Sequence, residues 1–180
     1  MTKTIFWELI DIARERAGGD FEKETALLVD YLIDFTSDDI ADFAGFLRAE
    51  ADDLCSTGIF AAFYILFNEG PSALDFFNFR IWLLGHGSAF VNRLTADPTL
   101  LDELIMPDDK TFIRQQGLSH VPLLAWYVKT RRTHFPGPDV RQSMDIEIPV
   151  TEMDIRQRFL SQFPRLNRMF WHVREVKSEE

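Results

Sequence analysis

The chain has 180 residues, 46% of them apolar and 13% aromatic, with a formal net charge of −10. A chain of this length buries about 70% of its unfolded surface and needs neither metal nor disulfide to fold, and the composition excludes disorder as its global state. One cysteine, Cys55, excludes a disulfide framework within the chain. The longest apolar run, Ile59 to Phe67, is far shorter than the roughly 20 residues of a membrane span.

The first half reads as consecutive helices. Thr4 is placed to cap a helix carrying Ile5, Phe6, Leu9, Ile12 and Ala13 at a period near 3.6, and Gly18-Gly19 stops it. Asp20 starts a second helix with Leu27, Leu28, Tyr31, Leu32 and Phe35 on one face. Thr36-Ser37-Asp38-Asp39 is a third start, with hydroxyls to cap and carboxylates at the positive end of the helix dipole. The third helix carries Ile40, Phe43, Ala44, Leu47, Ala51 and Leu54, against a polar side of Asp42, Arg48, Glu50, Asp52 and Asp53.

The segment from Ile59 to Phe67 is apolar all round, which predicts a central helix covered by its neighbours, ending at Gly70-Pro71. Ser72-x-x-Asp75 matches a capping box and opens a fifth helix to about Leu84, with Phe76, Phe77, Phe79, Trp82 and Leu83. A short helix around Ala89 to Leu94 follows Gly85 and Gly87. Asp97-Pro98 opens another, packed by Leu100, Leu101, Leu104 and Ile105 as far as Pro107.

Signals weaken over residues 108–150, read as a connecting region within the one domain. Val121 to Thr130 fits a helix with Pro122 in its first turn. Ile146, Ile148 and Val150 alternate with Asp145, Glu147 and Pro149, which fits a short edge strand. Thr151-x-x-Asp154 is a further capping box, and Pro164 breaks or restarts the helix that follows. The expected fold is therefore all-α: one helical bundle over residues 1–180, built around the helix at 59–67.

The charge is unevenly spread. Residues 1–110 hold 21 Asp and Glu against 8 Lys and Arg, a net of −13, and residues 111–180 hold 8 against 11, a net of +3. An acidic front repels nucleic acid and anionic lipid. It serves as a solvated surface or as a docking face for a basic protein partner, with Asp38, Asp39 and Asp42 as its candidate residues. No basic segment followed by an apolar run and a cleavage site opens the chain, so the cytoplasm is the expected compartment.

Catalytic signatures are sparse. The histidines are His86, His120, His134 and His172, and no pair has the spacing of a helical zinc motif. No metal and no cofactor is expected: a nucleophile elbow, a P-loop and a dinucleotide glycine fingerprint are all missing. Adjacent carboxylates such as Asp52-Asp53 and Asp108-Asp109 point to different sides of a helix and make poor acid–base pairs. Cys55 lies near a helix start and reads more readily as a small buried residue than as a nucleophile.

One segment stands apart. Glu69, Asp75, Asn78, Arg80, Trp82 and His86 surround an otherwise apolar helix, with Arg80 in its middle. Either Arg80 ties the helix to an acidic neighbour, or it forms an anion site beside Phe79 and Trp82. In the second case Asp75, Phe79, Arg80, Trp82 and His86 are the binding residues, and His86 is the one local base with a near-neutral pKa.

Those residues also carry a resemblance. The stretch from Phe60 to Leu66, Gly70, then Asp75-x-Phe77-x-Phe79-Arg80-x-Trp82-Leu83-Leu84-x-x-Gly87 and Ala96-Asp97-Pro98-x-x-Leu101 resembles the bacterial family called domain of unknown function 4240. Phe6-Trp7-x-Leu9-Ile10 is similar to its opening and Phe163-Pro164-Arg165-Leu166 with Phe170 to its closing segment. The family pattern has a Cys-Ser-Asp-like turn after Gly70, where this chain has Pro71-Ser72-Ala73-Leu74. The resemblance implies a bacterial, cytosolic, helical module and no defined activity.

Two functions are compatible with these residues: a non-catalytic interaction or regulatory module docking a basic partner, or a small-molecule-binding protein or enzyme with its site around Arg80 and Trp82. A homodimer is a further expectation, which the exposure of Phe170 and Trp171 bears on.

Overall fold

The computed structural model describes residues 1–67, 72–107, 109, 113, 117–138, 140 and 151–171. The chain is all-α, and no strand occurs among the described residues. The segment read as an edge strand, 145–150, and the helix stop at Gly70-Pro71 lie outside them, as do Glu69, Asp108 and His172.

Helix α1 (Lys3–Ala17) is capped by Thr2, whose hydroxyl accepts from the Ile5 amide, two residues before the cap expected at Thr4. Asp20 caps α2 (Phe21–Leu32) by accepting from the Lys23 amide at 3.0 Å. Thr36 and Asp39 form a reciprocal capping box on α3 (Ser37–Asp53), as Ser72 and Asp75 do on α5 (Ala73–Leu84). Between them α4 (Thr57–Leu66) is capped by Ser56. Each of these starts pairs an oxygen with an amide that the first helical turn leaves unsatisfied.

Helix α6 (Ser88–Ala96) starts differently. Its cap position is Gly87, held at φ +88°, with no side chain to offer. The cap comes instead from α1: the Asp11 carboxylate accepts from the Ser88 amide at 2.9 Å and from the Ser88 hydroxyl at 2.6 Å. A Cβ on Gly87 would sit 2.5 Å from that carboxylate, so glycine is required there twice over.

After α6, Asp97 caps a single turn at Pro98–Leu100 that runs into α7 (Leu101–Leu104). Helix α8 spans Gly117–Thr130 and so begins four residues before Val121, leaving Pro122 inside the helix rather than in its first turn. Proline removes one backbone donor, but Leu118, Ser119 and Val121 are buried, and tertiary packing sustains the extra turn. The C-terminal part is a pair of short helices that widen into π turns. Glu152–Asp154 runs into Ile155–Phe159, where the Leu160 amide reaches back to the Ile155 carbonyl, and Pro164–Leu166 runs into Asn167–Trp171.

Helices α1 and α2 pack on each other, α2 and α3 pack against α8, and α5 lies between α3, α4 and α8. The expected central helix is central: Ile59, Ala61, Ala62, Phe63, Ile65 and Leu66 are buried. The next helix is more completely enclosed. Every α5 residue from Phe76 to Leu84 is buried, including Asn78 and Arg80.

Candidate functional site

The asparagine and the arginine on α5 have different surroundings. Arg80 is 1% exposed. One guanidinium nitrogen donates to the Ala51 carbonyl at 2.9 Å and lies 3.5 Å from the Asp52 carboxylate, at the end of α3. The guanidinium also lies over the rings of Phe76 and Phe77, with its carbon 4.8 and 5.9 Å from their centroids. Asp75 sits in the capping box with Ser72. Phe79 is fully buried, stacked on Trp82 with centroids 5.8 Å apart. Of the five residues singled out on this segment, Phe79, Trp82 and His86 form one aromatic run, whereas Arg80 and Asp75 are held at other points of the helix.

On another face of α5, Asn78, Ile81, Trp82 and Gly85 line a cavity of about 340 Å³. This spacing of three and four residues puts them on one side of the helix. Phe21, Glu22, Glu24 and Thr25 of α2 form the facing wall, and Ile113, Gly117 and Leu118 close it. The volume lies at the low end of small-molecule pockets, which run about 300–1,000 Å³. Glu22 is exposed, so the cavity opens to solvent beside it.

The polar groups in this lining are poorly satisfied. Glu24 is 3% exposed, and among the described residues nothing donates a hydrogen bond to its carboxylate. Burial pushes its pKa up to about 7, against a smaller opposing effect of Arg14. Among the described residues, the Asn78 carbonyl oxygen and the Trp82 indole nitrogen are buried without a partner. The Thr25 hydroxyl is engaged as a donor to the Phe21 carbonyl at 2.8 Å. Phe21 and Trp82 face each other across 6.3 Å. Gly85 permits this closeness: a Cβ there would lie 3.0 Å from the Phe21 ring and 3.4 Å from the Glu24 carboxylate.

His86 packs edge-on to Trp82 at 4.6 Å and to Phe21 at 5.4 Å. Burial, and then Arg14, hold its pKa down to about 3, well below the near-neutral value expected of a general base. Its Nδ1 is 3.2 Å from an Arg14 guanidinium nitrogen, which fixes Nδ1 as the acceptor and places the proton on a buried Nε2 with no partner.

The acidic residues of α3 are partly engaged. Asp38 is exposed. Asp39 lies 2.6 Å from the Met1 ammonium and accepts from Thr36, contacts that, in that order, hold its pKa down to about 2. Asp42 lies 2.5 Å from the same ammonium. Glu50, assigned to the polar side of α3, is buried and paired with Lys3. Of the two residues whose exposure bears on a homodimer, Trp171 is fully buried and Phe170 half-buried; Leu123, Leu124, Tyr127 and Val128 form an exposed face of α8. Among the described residues no cluster of three metal-ligating side chains occurs, and no helix is long and apolar enough to cross a membrane.

A family model described as "Protein of unknown function (DUF4240)" matches residues 1–126. The chain belongs to the DUF4240 family. Every residue that lines the cavity falls inside the matched region, whereas the C-terminal pair of helices, including Phe163 to Phe170, falls beyond it. No curated protein and no solved structure matches the DUF4240 chain.

The sequence reading centres on Arg80; of its binding residues only Trp82 lines this cavity, and it includes neither Asn78 nor Glu24 in that set. A signal for Glu24 exists. It lies four residues before Leu28 and eight before Leu32, on the buried stripe of α2. A carboxylate on such a stripe either has a partner or marks a site.

Proposed function

We propose that this DUF4240 protein is a small-molecule-binding module whose ligand occupies the cavity between α2, α5 and α8. The observation that carries this reading is the set of buried polar groups without partners among the described residues, Glu24 and Asn78, in a lining whose walls are largely Phe21, Ile81, Trp82, Ile113 and Leu118. An unsatisfied buried polar group costs about 1–3 kcal/mol. A fold whose only task was to pack would be more stable with apolar side chains there. Ligand pockets combine an apolar wall with a few convergent polar groups in this way.

The test is a thermal-shift comparison with benzyl alcohol as a neutral probe. The probe raises the melting temperature of the wild type, and it does not do so for Leu118→Trp, which fills the cavity. An equal rise in both, or none in the wild type, contradicts the reading.

A second reading, a docking face for a basic protein partner, is favoured by the exposure of Asp38 together with Asp30 and Asp34. It predicts salt-sensitive capture of a basic protein that is weakened by reversing Asp38, Asp39 and Asp42. Capture that is unchanged between low and high salt contradicts it.

A further inference from the structure

Resting on the cavity reading above, we infer that the ligand class is an organic cation: a primary or secondary amine carrying an apolar, preferably aromatic, body.

The described residues that line the cavity carry charge of one sign. Glu22 stands at its exposed side and Glu24 within it, and among the described residues that line it there is no lysine, arginine or histidine. Arg14, whose charge acts on Glu24, is outside the lining and already engaged, donating to the Gly85 carbonyl at 2.9 Å and to His86. The side-chain oxygens available to a ligand are mostly acceptors. They are the Glu24 carboxylate and the lone pairs of a Thr25 hydroxyl whose proton is already used. A ligand that brings N–H donors and positive charge satisfies them, and one that brings a carboxylate or phosphate meets repulsion from both glutamates.

The walls add a second, independent preference. The rings of Phe21 and Trp82 present π faces and edges to the same space, and a cation near such rings is stabilised by their quadrupoles. A bare metal ion is a poor fit. The lining holds two carboxylates among apolar groups, and no cluster of three ligating side chains exists among the described residues. The apolar remainder of the lining, Ile81, Ile113 and Leu118, calls for a hydrocarbon body on the amine.

The experiment is calorimetric titration of the full chain with three probes of the same shape: benzylamine, benzyl alcohol and benzoate. The pH is set above the Glu24 pKa of about 7 and below that of the amine. Benzylamine binds about tenfold tighter than benzyl alcohol, as expected for one ion pair with a cation–π contact, and benzoate does not bind. In Glu24→Gln the ratio of amine to alcohol affinity falls several-fold, to the part that the cation–π contact supplies. Should that variant fail to fold, the three-probe series on the wild type decides alone. Equal affinity for amine and alcohol overturns the cation assignment and leaves the cavity reading standing. Tighter binding of benzoate does the same. No binding of any probe overturns both.

Discussion

The Arg80 guanidinium donates to the Ala51 carbonyl at 2.9 Å, joining the middle of α5 to the C-terminal turn of α3. The carbonyls of a last helical turn have no partner within their helix and carry the negative end of its dipole. A cation delivered from another helix satisfies both needs at a buried position. Arg80→Met therefore loses about 2 kcal/mol, the usual worth of a hydrogen bond to a charged group. Urea denaturation measures it. Unchanged stability with lost benzylamine binding would move Arg80 from the scaffold to the site.

Asn78 makes the opposite prediction. Its buried carbonyl oxygen has no partner among the described residues, so the folded state bears the desolvation of that group without compensation. Asn78→Leu raises stability by about 1 kcal/mol and weakens benzylamine binding. Denaturation and calorimetry on the same preparation check both halves. A destabilised variant would show that Asn78 serves packing.

Glu24 ties stability to pH. Its folded pKa of about 7 lies above the ordinary 4.5, so the native state keeps a proton that the unfolded chain releases. That contribution is fully present below pH 4.5 and is lost as pH rises to about 7. His86, lowered from 6.5 to about 3, acts in the reverse sense, its contribution being lost as pH falls through that window. Comparison with a variant isolates the glutamate. The stability of Glu24→Gln relative to wild type grows between pH 4.5 and 7, at up to about 1.4 kcal/mol per pH unit, and is flat above. Parallel stability curves would contradict the buried, unpaired state of this carboxylate.

Asp11 is the remote cap of α6. Asp11→Ala removes the acceptor from the Ser88 amide and costs about 1 kcal/mol. Amide hydrogen exchange localises the effect: protection falls at Ser88 and the next residues of α6, while α3 is unaffected. Unchanged protection at Ser88 would show that the cap contributes nothing.

Most of the scaffold was legible because its signals are local. The starts at Asp20, Thr36 and Ser72 each rest on a side chain and an amide three residues on, within one stretch of chain. The Asp11–Ser88 cap was not legible, since its two halves are 77 residues apart and Gly87 gives no sign of a helix start. For the site the same distinction holds. The apolar character of α5 made Arg80 conspicuous, and it drew attention from Asn78, two residues earlier. Glu24 looked like one more surface carboxylate in an acidic helix. Its cover comes from segments distant in the chain: a Cβ on Gly85 would lie 3.4 Å from its carboxylate, and Gly117 and Leu118 line the same cavity.

The central claim is that a small molecule enters the cavity beside Trp82, and the indole N–H resonances of the four tryptophans report on it. The measurement is a nuclear magnetic resonance titration of the ¹⁵N-labelled protein with benzylamine. The account predicts a saturable shift of the Trp82 indole signal while those of Trp7, Trp126 and Trp171 stay in place. A Trp82 signal that does not move at saturating probe, or four signals that drift together without saturating, would contradict it.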